Sequence, residues 1–215
     1  HLDLQRYRHL PDLSPSEIDN LMDQATQDAS DLLATQGYIN PTIALDYLPV
    51  DEKNKLPRIV VKVEVGPPTI VAGSKLKFAG HIATAVDLPG TIQRRVIRQF
   101  WQLRQEQRFT QGRWDDAKAR ALRDLNAERY LAGHISTSDA QLDADKNEAQ
   151  LQLTLDSGPV YHFGAAQIQG NVNFEDETVR RFLRLPQGAP YSLNRLLQAQ
   201  QRLVDTGFFD SVFLY

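Results

Sequence analysis

Apolar residues follow two different periods along this chain. Helical spacing marks one face of residues 18–33, of residues 92–103 and of residues 114–125. Strict alternation of apolar and polar residues follows in two pairs of segments, TIALDYL with RIVVKVEV and HISTSDAQL with AQLQLTL. The pattern predicts amphipathic helices that lead into β-hairpins.

The same landmarks return at a spacing typical of small domains. The Gly-Pro pairs that begin at Gly66 and Gly158 lie 92 positions apart, and Gly80 and Gly170 lie 90 positions apart. Each repeat also has an aromatic residue just after its last predicted helix, at Tyr38, Tyr130 and Phe208. Because this period is longer than that of a solenoid repeat, it predicts tandem modules.

We predict three modules, over residues 1–72, 73–160 and 161–215, with the element order strand, helix, helix, strand, strand. The first module lacks the opening strand, and its first helix begins at a capping box in residues 14–17. The third module begins with the strand HFGAAQIQG and continues with the helices DETVRRFLRL and SLNRLLQAQQRLV. It ends in a strand at Tyr215 and is truncated before its last strand. The predicted fold class is α+β.

Glycine precedes the aromatic residue at two of the three predicted helix exits. Gly37 and Gly207 are placed to end their helices in the left-handed conformation, which glycine adopts without steric cost. Arg129 stands at the corresponding position before Tyr130, so the middle helix either ends more loosely or uses Gly133 instead. We expect the aromatic ring at each exit to fill the gap between helix and strand.

The composition is that of a globular protein and excludes several classes of function. The chain has 215 residues, of which 41% are hydrophobic, so it can bury sizeable cores. A net charge of -3 argues against general nucleic-acid binding, and the absence of cysteine excludes disulfides and thiolate metal sites. No apolar run approaches the length of about 20 residues that a membrane helix needs. Any membrane-embedded part is expected outside this sequence.

Few residues suggest catalysis or metal binding. The carboxylates of Asp139, Asp143 and Asp145 lie near the segment DADKNE, which lacks the spacing and final Glu of a calcium loop and is predicted to be a hairpin turn. The five histidines are scattered, and no nucleophile elbow or phosphate-binding glycine loop occurs. We therefore predict no enzyme activity and no catalytic, metal-binding or cofactor-binding residues.

Positive charge is concentrated in the middle module. One interpretation is a weak contact with anionic lipid headgroups or acidic polypeptides, and the favoured alternative is a solvated helix face. Trp101 and Trp114 are predicted to lie in the core, because their neighbours follow helical stripes. The basic residues are Arg94, Arg95, Arg98, Arg104, Arg108 and Arg113.

The element order, with Gly followed by Tyr or Phe at the helix exit, resembles POTRA domains, which are periplasmic modules of outer-membrane assembly proteins. The segments LLATQGYINPTI, YHFGAAQIQGN and LPQGAPYSLNRLLQAQQRLVDTGFFDSV are similar to the BamA and TamA superfamily, and most nearly to the TamA family. The resemblance implies tandem POTRA domains, each a three-stranded sheet covered on one face by two helices. The residues that form the structural signature of this resemblance are Gly37, Tyr38, Tyr130, Gly170, Gly207 and Phe208.

The resemblance also implies a location and partners. The location is the periplasm of a Gram-negative bacterium, ahead of a C-terminal outer-membrane β-barrel that this sequence does not include. The implied partners are a TamB-like protein anchored in the inner membrane and unfolded outer-membrane or autotransporter polypeptides. The alternative is a scaffold of a BamA, two-partner secretion or division complex that docks one fixed partner.

Binding by such modules is expected at unpaired strand edges. An extended peptide can pair with an exposed edge through main-chain hydrogen bonds, a mode called β-augmentation. By analogy with the family, the candidate edges are residues 42–48 and 135–142. The alternative is that these edges are merely exposed and that charges such as Asp46 prevent pairing with another chain. The candidate peptide-binding residues are Ile43, Leu45, Tyr47, Ile135, Thr137 and Asp139.

Overall fold

The computed structural model describes residues 14–48, 58–170, 174–209 and 211–214. The described helices are α1 (Pro15–Thr35), α2 (His81–Thr84), α3 (Leu88–Gln99), α4 (Gln111–Asn126), α5 (Asp176–Leu183) and α6 (Leu193–Asp205). The described strands are β1 (Thr42–Leu48), β2 (Arg58–Glu64), β3 (Ile70–Ala79), β4 (His134–Asp143) and β5 (Glu148–Asp156). The predicted α+β fold class is therefore confirmed.

The chain divides into two compact units. The first compact unit contains the described residues up to Ser74, together with 102–116 and 139–151. The second compact unit contains 75–101, 117–138 and the described residues from 152 onward. The division into three modules at residues 72 and 160 stays a prediction.

Helix α1 and the hairpin of β1 and β2 belong to the first compact unit. The capping box is confirmed, since the Ser14 hydroxyl accepts from the Glu17 backbone N–H at 3.4 Å and the Glu17 carboxylate accepts from the Ser14 N–H at 2.8 Å. Strands β1 and β2 pair antiparallel from Thr42 opposite Glu64 to Leu48 opposite Arg58. The predicted loop between them lies outside the described residues.

Strands β3, β5 and β4 form a three-stranded sheet in that order, so β5 is central. The buried residues of β5 alternate along the strand, as the sequence predicts: Ala149, Leu151, Leu153 and Leu155. The turn between β4 and β5 is also confirmed. In it the Lys146 N–H donates to Asp143 Oδ1 at 3.1 Å, while the Lys146 ammonium lies 3.0 Å from the same carboxylate.

Each compact unit has its own buried side chains, and both predicted core tryptophans are among them. Helices α5 and α6 contribute a separate cluster of buried residues, against which Ala166, Ile168 and Val212 pack. The first unit buries Ala25, Val71, Leu103, Phe109, Trp114, Ala149 and Leu151. The second unit buries, among others, Ile82, Ile97, Trp101, Leu125, Tyr130, Leu155, Val179, Leu183, Ala199 and Leu203.

The predicted apolar stripe on α3 does not face the core. Helix α3 ends at Gln99, and its buried residues are Gly90, Gln93 and Ile97. The Gln93 amide nitrogen lies within hydrogen-bonding distance of three backbone carbonyl oxygens at the end of α4, at 2.9 to 3.3 Å. The polar residue Gln93 therefore lies on the inward face of α3. Its amide group donates to carbonyl oxygens at the end of α4 that would otherwise lack partners. Of the predicted stripe residues, Ile92, Val96 and Phe100 lie at the surface, whereas Leu103, beyond the end of the helix, is fully buried.

The two strands predicted in the third module do not form within the described residues. Residues 164–170 and 211–214 have no strand assignment, although Ala166, Ile168, Val212 and Leu214 pack against the core of α5 and α6. Alternating apolar side chains supply the packing of a strand, but a strand also needs a neighbour that pairs with its backbone. The sequence pattern indicates the apolar packing but does not show whether a pairing neighbour is present.

All three helix exits contain a residue in the left-handed region. Gly37 has φ +82°, Gly207 has φ +69°, and Arg129 adopts the same conformation with φ +66°. The alternative that Gly133 ends the middle helix is wrong, since Gly133 has no positive φ. Glycine is needed there for space, because a Cβ would lie 2.4 Å from Asn126 Oδ1.

The exit aromatics differ in their surroundings. Tyr130 is fully buried and fills the gap as expected. Tyr38 is half-buried beneath the Arg108 guanidinium, which lies 4.6 Å from the ring centre. Phe208 is 58% exposed, so the expectation that every exit ring fills a gap is wrong for the last one.

Substitution of the exit glycines should separate conformational strain from steric crowding. Gly207→Ala should lower the free energy of unfolding by about 1 kcal/mol, since only the left-handed backbone penalises it. Gly37→Ala should cost about 3 kcal/mol, because its Cβ would also lie 2.0 Å from the Phe109 carbonyl oxygen. Urea unfolding of both variants measures the difference. Equal losses would contradict the close packing at Gly37.

Candidate polypeptide-binding site

The predicted edge on β4 lies at the side of the three-stranded sheet. Among the described strands, β4 has β5 as its neighbour on one side and no neighbour on the other. Ile135 is half-buried, whereas Thr137 and Asp139 are exposed. The outer N–H and C=O groups of an edge strand can pair with an incoming chain, while a charge such as Asp139 discourages unspecific pairing.

The predicted edge on β1 belongs to the two-stranded sheet of the first compact unit. Strand β1 pairs with β2 along its full length, and no other described strand joins this sheet. Ile43 and Leu45 are half-buried, and Tyr47 is 39% exposed. The Asp46 carboxylate, which was expected to blunt this edge, lies 2.9 Å from the ammonium of Lys62 on β2. The pair is exposed and contributes little to stability.

A groove in the second compact unit is a candidate site that the sequence did not reveal. It encloses about 720 Å³, and α5 and α6 supply part of its lining through Val179, Leu183, Leu196 and Leu203. Residues 163–170 line it as one wall, and residues 209 and 211–214 line it as the second wall. We call this cavity the strand groove.

Each wall of the strand groove alternates in burial. Ala166 and Ile168 in the first wall are half-buried against the helices, while Gln167 and Gln169 between and beside them are exposed. In the second wall Val212 and Leu214 are half-buried, and Ser211 and Phe213 are exposed. This alternation is that of sheet strands with one face on a core. The alternation can be read from the sequence, but the groove depends on how both walls and both helices are arranged in space.

The repeat indicates what the strand groove resembles. Residues 163–170 lie 92 positions after the β3 residues 71–78, and residues 211–214 follow the third helix exit as β4 follows the second. In the sheet of β3, β5 and β4, the central strand β5 lies between the other two. The strand groove therefore corresponds to the place of the predicted last strand of the third module, as β5 is the last strand of the preceding one.

Backbone hydrogen bonds at the exit of α4 position the first wall. The Arg129 carbonyl oxygen accepts from the Tyr161 N–H at 2.7 Å, and the Tyr161 carbonyl accepts from the Tyr191 N–H at 2.9 Å. The Arg129 N–H donates to the Tyr191 carbonyl at 2.9 Å. We call this set the exit ladder of the second unit. It fixes the chain direction just before the wall begins.

The first compact unit contains a corresponding exit ladder after α1. The Gly37 carbonyl oxygen accepts from the Thr69 N–H at 2.7 Å, and the Thr69 carbonyl accepts from the Phe109 N–H at 2.8 Å. Gly37 and Thr69 lie 92 positions before Arg129 and Tyr161. Two of the three hydrogen bonds of the exit ladder thus recur before β3 and before the first wall of the strand groove, while the Gly37 N–H donates to the Ala34 carbonyl oxygen.

Side chains reinforce the exit ladder of the second unit. Arg129 Nη1 lies 2.7 Å from Asp87 Oδ2, and Asp87 Oδ1 accepts from the Gly90 N–H at 3.3 Å as the N-cap of α3. The Tyr130 hydroxyl lies 3.0 Å from His81 Nδ1. Burial raises the pKa of Tyr130, so its hydroxyl stays protonated well into the alkaline range.

The remaining predicted positions mark the ends of walls and helices. Gly170 has φ +76° at the end of the first wall, and a Cβ there would meet no atom within 4 Å. The ring of Phe208, after the exit of α6, lies 5.1 Å from that of Phe174. In the described part of the chain, no helix has the length and apolar character of a membrane span.

Comparisons with known proteins support the fold. Residues 161–213 match the POTRA family model, described as a surface antigen variable number repeat. The crystal structure of BamA POTRA domains 3–5 from Haemophilus influenzae is similar with a TM-score of 0.50 and 16% identity, covering 94% of this chain and 74% of that chain. BamA from Haemophilus ducreyi lacking POTRA domains 1–3 gives 0.51 and 17%, covering 68% of this chain and 26% of that chain. The chain thus has a POTRA-like fold.

The ion pair at the exit of α4 should stabilise the chain only when both charges are present. Asp87→Asn keeps an N-cap side chain but removes the charge, and should lower the free energy of unfolding by about 1 kcal/mol. The same substitution should have almost no effect in an Arg129→Gly background, where the partner is absent. A double-mutant cycle by urea unfolding measures this coupling. An equal loss in both backgrounds would show that the ion pair does not contribute.

Proposed function

We propose that this chain is the periplasmic arm of an outer-membrane protein assembly factor and that it binds extended polypeptides by pairing with them as strands. The single observation that carries the proposal is the edge of β4, which has β5 on one side and no neighbour on the other among the described strands, and where Thr137 and Asp139 are exposed. The POTRA match over residues 161–213 and the fold of the BamA structures support the same class of protein. The role is binding and includes no catalytic step.

The finer proposal is a TamA-like protein. Its clients are unfolded outer-membrane or autotransporter polypeptides, and its second partner is a TamB-like protein anchored in the inner membrane. The similarity of LLATQGYINPTI and of the third-module segments to that family supports this assignment. The predicted edge of β1 is proposed as a further pairing site, since it too has an unpaired side among the described strands.

The chemistry of the β4 edge favours pairing with little sequence selectivity. The edge backbone would supply main-chain hydrogen bonds, which give affinity to many different sequences. Most side chains of β4 are exposed, and only Ile135, Ala140 and Asp143 are half-buried. An extended chain that pairs with β4 would add a fourth strand to the sheet of β3, β5 and β4.

A labelled synthetic peptide with the β5 sequence should bind the open edge of β4, as measured by fluorescence anisotropy. Methylation of the peptide's backbone nitrogens should weaken binding at least about tenfold, because main-chain hydrogen bonds to the edge are lost. The chain has no cysteine, so Thr137→Cys carrying a bulky thiol label should block the edge. Gln201→Cys with the same label, at an exposed position of α6, is the matched control and should leave binding unchanged.

Two results would contradict the proposed function. One is the absence of saturable binding of the β5 peptide to a chain whose folded state is confirmed by circular dichroism. The other is equal binding of the methylated and unmethylated peptides, which would show that binding does not use main-chain hydrogen bonds.

A further inference from the structure

The surface of α3 carries an apolar stripe that no described residue covers. Its members lie four positions apart on one side of the helix and extend over about 18 Å at 1.5 Å per residue. Their exposed fractions are 73%, 45%, 37% and 49%, for Leu88, Ile92, Val96 and Phe100 respectively. Val86, just before the helix, is 96% exposed. We call these four helix residues the α3 stripe.

Arginines flank the α3 stripe on both sides. On one side, a recess of about 620 Å³ is lined by Thr91, Arg94, Arg95, Arg98 and Gln99. On the other side, the Arg120 guanidinium of α4 lies 5.4 Å from the ring centre of Phe100. The six arginines that the sequence placed together are therefore divided, since Arg104, Arg108 and Arg113 belong to the first compact unit.

Acidic groups near the α3 stripe are paired with arginines. Helix α3 itself contains no Asp or Glu. Its N-cap Asp87 forms the ion pair with Arg129, and Asp124 of α4 lies 3.9 Å from Arg120. The surface around the stripe therefore keeps a local positive charge, although the whole chain carries -3.

We propose that the α3 stripe and its flanking arginines dock onto an anionic phospholipid surface. An apolar helix face between basic side chains fits the boundary between headgroups and acyl chains, with phosphates beside the arginines and apolar side chains among the acyl chains. The three arginines that line the recess give it a charge suited to phosphate. This surface is on α3 and not at the edge of β4, so the inference does not rest on the proposed function.

Co-sedimentation with vesicles tests the proposal directly. The chain should bind vesicles of phosphatidylglycerol and phosphatidylethanolamine, should not bind vesicles of phosphatidylcholine alone, and should be released as salt is raised. Arg95→Gln should weaken binding about fivefold, the effect of one basic residue near an anionic membrane. Ile92→Ser combined with Val96→Ser should weaken it about tenfold by removing apolar contact.

Matched variants outside the α3 surface serve as controls. Leu32→Ser changes an equally exposed leucine on α1, a helix without basic residues in its last turn, and Arg58→Gln removes an exposed arginine on β2. Neither should affect vesicle binding. Absence of binding to the anionic vesicles would overturn the proposal, as would equal losses in the control variants. Binding of an acidic amphipathic peptide at the stripe without vesicle binding would overturn it in favour of a protein partner.

Discussion

The exit ladders depend on one hydrogen bond, in which the carbonyl of a left-handed residue accepts from the backbone of the segment that follows the hairpin. Gly37 makes this bond with Thr69, and Arg129 makes it with Tyr161. A left-handed residue turns its carbonyl away from the helix axis, so that the carbonyl becomes available to a distant segment. The bond therefore positions the start of β3 in the first compact unit and the first wall of the strand groove in the second.

Arg129 shows how this constraint is met without glycine. A left-handed non-glycine residue costs about 1 kcal/mol or more, and the ion pair with Asp87 offsets part of that cost. The same arginine links the start of α3 to the exit of α4, beside the buried Tyr130. Arg129 departs from the glycine pattern in the sequence itself. Its partner Asp87 lies 42 positions earlier, and no nearby residue indicates that the two form an ion pair.

Local patterns predicted most of the helices and hairpins, because capping residues, alternation and turn residues act over a few positions. The capping box at Ser14, the alternation in β5 and the turn at Asp143 are examples. The inward face of α3 could not be predicted from its apolar residues, since Gln93 is buried by carbonyl groups from another helix. Both walls of the strand groove were predicted as strands, but strand formation needs a pairing neighbour, which the pattern of one segment does not encode.

Photo-crosslinking in living cells tests the proposed function most directly, namely that the chain binds extended polypeptides through its strand edges. A photoreactive residue would replace Thr137 on β4 or Tyr47 on β1, with the exposed Asp28 on α1 as the control position. Crosslinks from the first two positions to many different outer-membrane polypeptides are expected, with few from the control. Crosslinks to one folded partner alone, or equal yields at all three positions, would contradict the proposed function.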